Sequence, residues 1–70
     1  MDEPRPIGRI IKAARVLEGL RQADVAERVG VCEDHLSHIE RGARRPSDAL
    51  LGRLIDVLGL PENVRPGGPS

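Results

Sequence analysis

The chain contains no phenylalanine, tryptophan or tyrosine. Its core must therefore be aliphatic, built from Ile, Val, Leu and Ala. The same absence removes base stacking on aromatic side chains, the usual device for holding single-stranded nucleic acid, so oligonucleotide-binding barrels and RNA-recognition sheets are poor candidates. A single cysteine, Cys32, allows no internal disulfide and fits a reducing compartment. Net charge is lacking too, because 11 acidic residues balance 11 basic ones. A nucleic-acid binder is usually basic overall, so the balance counts mildly against one, although the distribution of charge matters more than its sum. No apolar run approaches the roughly 18 residues of a membrane span, and the N-terminus carries no signal-peptide pattern. The expectation is a cytoplasmic protein with no membrane partner. Strand alternation and internal repeats are also missing.

What remains is a short helical chain rich in arginine. Seventy residues make one small domain, and such a chain buries only about 60% of its unfolded surface, which makes it marginally stable without a partner. Ten of the 11 basic residues are Arg, with Lys12 the exception. Arginine offers a planar fork that suits phosphate and guanine; a biased nucleotide composition of the gene gives the same skew.

The densest signal runs from Gln22 to Ile39. Val25, Ala26 and Val29 fall at i, i+1 and i+4, one face of a helix. Gly30 ends that helix, because glycine takes the left-handed conformation of a C-terminal cap without a steric penalty. Val31 is the apolar residue of the turn. Leu36 and Ile39, three apart, give a second helix its buried stripe, and Ala26 is small enough to let that helix approach closely. A pair of helices held rigidly across a tight turn is the device that presents a helix to a DNA major groove.

The flanking sequence completes an all-α reading of four to five helices. Residues 1–5 form a polar arm. Helix one runs from about Pro6, suited to a first turn, to Glu18, with Ile7, Ile11 and Ala14 inward, Ile10 and Leu17 on a flanking stripe, and Gly19 as the stop. Helix two spans about Gln22 to Val29. Helix three spans about Glu33 to Arg41, with Glu33 and Asp34 at the positive end of its dipole. The segment Gly42 to Pro46 is a loop. Ser47 caps helix four, which runs to about Leu58, buries Leu51, Leu54, Ile55 and Leu58, and stops at Gly59. Gly52 inside that helix costs about 1 kcal/mol relative to Ala, pointing to close backbone packing or a minor imperfection. Residues 61–70 are a short turn, Pro61 to Val64, followed by a flexible tail from Arg65 with two Pro and two Gly in six residues. Residues 6–60 then form the domain.

These residues carry a resemblance. Ile7-Gly8, Arg15, Gly19-Leu20, Gln22, Val25-Ala26, Gly30-Val31, Leu36-Ser37, Ile39 to Gly42, Arg44 to Ser47, Leu54 and Leu58-Gly59 stand as they do in the DNA-binding domain of the phage repressor and Cro group. The run from Ile7 to Leu60 is similar to this Xre-type helix-turn-helix family, whose fold is the lambda-repressor-like bundle. The resemblance implies that helix three enters the major groove with Glu33, Asp34, Ser37 and His38 facing bases. It implies that Gln22 clamps a phosphate through its side chain and the helix N-terminus, and that Arg41, Arg44 and Arg45 contact flanking phosphates. It also implies that Arg15 and Glu40 form an ion pair tying helix one to the end of helix three. Two departures stand out: Cys32 replaces the usual Ser or Thr ahead of helix three, and two of the four base-facing residues are acidic. A carboxylate accepts from cytosine N4 but is repelled by phosphate.

The implied function is a transcriptional regulator of double-stranded DNA, a repressor acting as a homodimer on a palindromic operator. Leu50, Val57, Leu60 and Val64 are the apolar candidates left over from the core for the dimer face. An alternative is an interaction module, such as an antitoxin or adaptor, whose acidic helix docks on a protein partner. A bland reading as a plain helical bundle, with the loop arginines merely solvating, stands beside both. Cys32, His35 and His38 recur every three residues but put two ligands on one helix, whereas a closed structural metal site needs four on separated elements, so no metal is expected. No nucleophile stands beside a base and orienting acid, and no phosphate loop is present, so neither an enzyme nor a cofactor is expected.

Overall fold

The computed structural model describes residues 7–61 and Val64; the arm, Pro6 and the tail from Arg65 lie outside the described residues. Among the described residues four helices follow one another: α1 (Ile7–Leu17), α2 (Gln22–Val29), α3 (Glu33–Glu40) and α4 (Asp48–Leu58). There is no strand among the described residues. Helix three stops one residue short of the expected Arg41, which is its C-cap. Of the expected turn after α4, the Val64 N–H donates to the Pro61 carbonyl at 3.3 Å.

The helix ends follow from local chemistry. The Arg21 N–H, just ahead of α2, donates to Asp24 Oδ2 at 3.0 Å, so the carboxylate gives a partner to a backbone donor at the helix start. That backbone donor, and then the Arg21 side chain, hold the Asp24 carboxyl below its ordinary range. At the far end Gly30 takes a φ of 82°, so that its own N–H and that of Val31 both reach the Ala26 carbonyl, at 2.9 and 3.0 Å. Ser47 Oγ accepts from the Leu50 N–H at 3.1 Å and starts α4. Cys32 makes no side-chain capping bond, leaving the dipole of α3 to the carboxylates of Glu33 and Asp34.

The four helices close on an aliphatic core. Ile11, Val25, Val29, Leu36, Ile39, Leu51 and Leu54 are its fully buried large side chains, one or two from each helix. Ala26 is buried between α2 and the neighbouring elements, while Ile7, Ile10, Ala14, Leu20 and Val31 pack on the rim. Two backbones approach closely at Gly8; Gly52, inside α4, is half-buried. A Cβ at position 8 would overlap the Ile39 carbonyl oxygen and sit 2.9 Å from that of Glu40. Helix α1 thus lies against the C-terminal carbonyls of α3 with no side chain between.

The apolar residues assigned to a dimer face need correction. Leu50, Leu60 and Val64 are buried within the single chain, and Val57 packs half-buried on the same core. With no aromatic side chain to fill it, the core takes in these aliphatic ones as well. Among the described residues, the large apolar side chains that do stand exposed are Val16 (59%) and Leu17 (84%), at the end of α1. Of the flanking pair expected on α1, Ile10 packs on the core and Leu17 stands in solvent.

Candidate nucleic-acid interface

Helix α3 is divided along its length. Leu36, Ile39 and Glu40 are buried. Glu33, Asp34 and His38 are exposed, and Ser37 and His35 are half-buried. The four residues expected to face bases thus lie at or near the solvent side of one short helix, with two carboxylates in its first turn. Arg41 follows as the exposed C-cap, and Arg44 and Arg45 stand exposed in the loop to α4. Gly42, with a φ of 82°, turns the chain there, and the Ala43 N–H reaches back to the His38 carbonyl at 2.9 Å.

Between α3 and this loop lies an open concavity of about 420 Å³, lined by Cys32, Asp34, His35, His38, Ala43 and Arg44. Arg44 Nη1 lies 3.5 Å from His35 Nδ1 across it, at the limit of a hydrogen bond. Carboxylate, imidazole and guanidinium groups stand together here, offering both acceptors and donors. Among the described residues, no three His, Cys, Asp or Glu side chains converge as a metal ion requires.

Behind the exposed face is a buried polar hub. Arg15 Nε donates to Glu40 Oε2 at 2.7 Å and its Nη2 donates to Oε1 at 3.0 Å. Only 12% of the arginine side chain and 2% of the glutamate side chain remain accessible. The third nitrogen, Nη1, donates to the Leu20 carbonyl at 2.9 Å. The hydrogen bonds to Glu40 push the Arg15 guanidinium further above its ordinary value, against the desolvation that opposes them. A buried carboxylate needs its acceptor sites filled, and Gln22 Nε2 supplies a third donor to Glu40 Oε1 at 3.0 Å. Gln22, expected to clamp a phosphate through its side chain and the helix N-terminus, thus directs its side-chain amide to Glu40 and stays half-buried at the start of α2.

One contact has no counterpart among the residues singled out from the sequence. Arg53, on α4, donates from Nη1 to the Val29 carbonyl at 3.1 Å. An arginine on the polar side of a helix reads as a solvated charge, and only the packing of α4 on α2 brings it to that carbonyl. The membrane expectation concerns length and hydropathy alone: no helix among the described residues is long and apolar enough to cross a bilayer.

Comparison with known proteins places this geometry. The helix-turn-helix domain model matches residues 6–66. The transcriptional regulator ClgR of Mycobacterium tuberculosis is 34% identical over 58 residues, 83% of this chain and 52% of that protein. An uncharacterized HTH-type transcriptional regulator of Bacillus subtilis, YazB, is 42% identical over 53 residues, 76% of this chain and 77% of its own. The ImmF control region 10 kDa protein of Bacillus phage phi105 is 33% identical over 64 residues, 91% of this chain and 71% of its own. The chain thus spans about half the length of the mycobacterial relative. With the match running over most of its residues, the chain belongs to the helix-turn-helix domain family, in keeping with the Xre-type resemblance of its residues.

Proposed function

We propose that this chain binds double-stranded DNA as a transcriptional regulator in the cytoplasm, with α3 in the major groove and Arg41, Arg44 and Arg45 on flanking phosphates. The observation that carries the reading is the division of α3: a buried side anchored through Glu40, and a solvent side on which Glu33, Asp34 and His38 are available to base edges. Carboxylates there favour cytosine, whose N4 is a donor, and His38 suits guanine N7 or a phosphate. Regulators among the relatives support the same reading. Two copies on a palindrome, with half-sites about 34 Å apart, and repression by occluding polymerase extend it.

The acidic first turn and the zero net charge favour a second reading, in which the same helix docks on a basic protein surface. Selection from random duplex DNA at near-physiological salt separates the two. The expected result is an enriched site containing C·G pairs, as a palindrome if two copies bind. A pool with no enrichment after repeated rounds would remove operator reading and leave the protein-docking reading ahead.

A further inference from the structure

We propose that Arg53 is a positioning residue for the recognition helix: from α4 it holds the turn between α2 and α3, and through that turn it sets how selectively α3 reads a duplex. The inference rests on the DNA-reading function proposed above. Val29 is the last residue of α2, Gly30 is its left-handed cap, and Cys32 already starts α3. The last carbonyls of any helix lack intrahelical donors. In this turn the Ala26 carbonyl receives the N–H groups of Gly30 and Val31, and the Glu27 carbonyl shares that of Gly30. Among the described residues no backbone N–H reaches the Val29 carbonyl, and Arg53 supplies its donor across 24 residues of sequence. A cation at this place also meets the negative end of the α2 dipole.

The guanidinium lies close over the turn, since a Cβ added at Gly30 would be 3.6 Å from the same Nη1. The turn is therefore gripped from outside as well as by its own backbone. That grip matters because α2 and α3 have only eight residues each, too few to hold a helix unaided. Their mutual angle depends on contacts with the rest of the chain. A small rotation at Gly30 displaces the exposed side chains of α3 by more than it displaces the turn. Arg53 itself carries none of the contacts assigned to DNA.

Arg53→Met keeps the aliphatic stem and loses the donor, whereas Arg53→Lys keeps a charged donor. Amide exchange followed by NMR on the whole chain is the first measurement. In Arg53→Met the amides of Gly30 and Val31 are expected to exchange faster by about 2- to 30-fold, the size of effects carried through packed elements, while those of Ile11 and Leu54 keep their wild-type rates. Lysine restores most of the protection. Uniform acceleration at all amides means a merely structural role and overturns the proposal, and so does no change at all. The second measurement is affinity for a selected duplex and for its scrambled counterpart. The ratio of the two is expected to fall by about 2- to 30-fold in Arg53→Met, with scrambled-duplex binding unchanged. An unchanged ratio beside a loosened turn overturns the selectivity role. A wild type without preference for any duplex overturns it through the DNA-reading function itself, a failure that the exchange data distinguish from failure of the latch.

Discussion

Gly8 stands where the main chains of two helices meet. A methyl group there would press on the carbonyl oxygens of Ile39 and Glu40, which are backbone atoms and cannot turn aside as a flexible side chain does. Gly8→Ala is expected to destabilise the fold by about 1–3 kcal/mol, the usual cost of overpacking a filled interior, despite the better helix propensity of alanine. A urea titration followed by far-ultraviolet circular dichroism checks this; a midpoint at or above that of the wild type would show that α1 can shift freely. Asp24 makes a pH-dependent contribution. Its carboxyl is held below the ordinary range by the Arg21 N–H, so its folded pKa is lower than its unfolded one. The stabilisation is therefore complete above the unfolded value, about 3.9, and disappears as pH falls through the folded value. Asp24→Asn is expected to melt below the wild type at neutral pH, with the gap closing as pH falls below the ordinary carboxylate range. A gap that does not vary with pH would mean that the carboxylate charge has no part in the cap.

Between elements, Glu40 is the principal polar joint. Its carboxylate ties the end of α3 to Arg15 on α1 and to Gln22 at the start of α2, and Arg15 continues to the Leu20 carbonyl in the connection between them. Removing Glu40 leaves a buried guanidinium uncompensated. Glu40→Ala is expected to cost about 3–5 kcal/mol, a large share of the roughly 5–15 kcal/mol that holds a typical domain, and thermal melts measure it directly. A loss below about 1 kcal/mol would mean that water replaces the pair as it does at a surface. The helices themselves were legible in the sequence, because Gly30, Gly59 and Ser47 announce their ends through conformations and hydrogen bonds that depend on neighbours in sequence. Interhelix contacts were less so. Arg15 with Glu40 was reached only through resemblance. The Gln22 bond to Glu40, the close approach at Gly8, and the burial of Leu50, Leu60 and Val64 depend on which turn of one helix meets which turn of another. Periodicity gives the face of a helix, not the height at which a neighbour crosses it.

The whole molecule carries no net charge, yet its charges are not evenly mixed near α3, where Glu33 and Asp34 precede the arginines of the following loop. On the proposed function, the acidic turn lowers affinity for any phosphate backbone while favouring cytosine. Glu33→Gln with Asp34→Asn adds two positive units to the net charge. The double variant is expected to bind scrambled duplex more tightly and to lose about 1–3 kcal/mol of operator preference for each base contact removed. Titration of wild type and variant against both duplexes reads the two effects together; equal binding of both duplexes by the wild type would sink base reading. The lengthwise division of α3 has a further consequence for descent. Leu36, Ile39 and Glu40 are committed to the fold, whereas the side chains of Glu33, Asp34 and His38 make no hydrogen bond among the described residues. Surface substitutions of that kind change stability by only about 0.5 kcal/mol in either direction. A duplicated gene can therefore drift at those three codons and acquire a new target while inheriting the old scaffold intact, so lineages of this chain should diverge in what they read far faster than in how they fold.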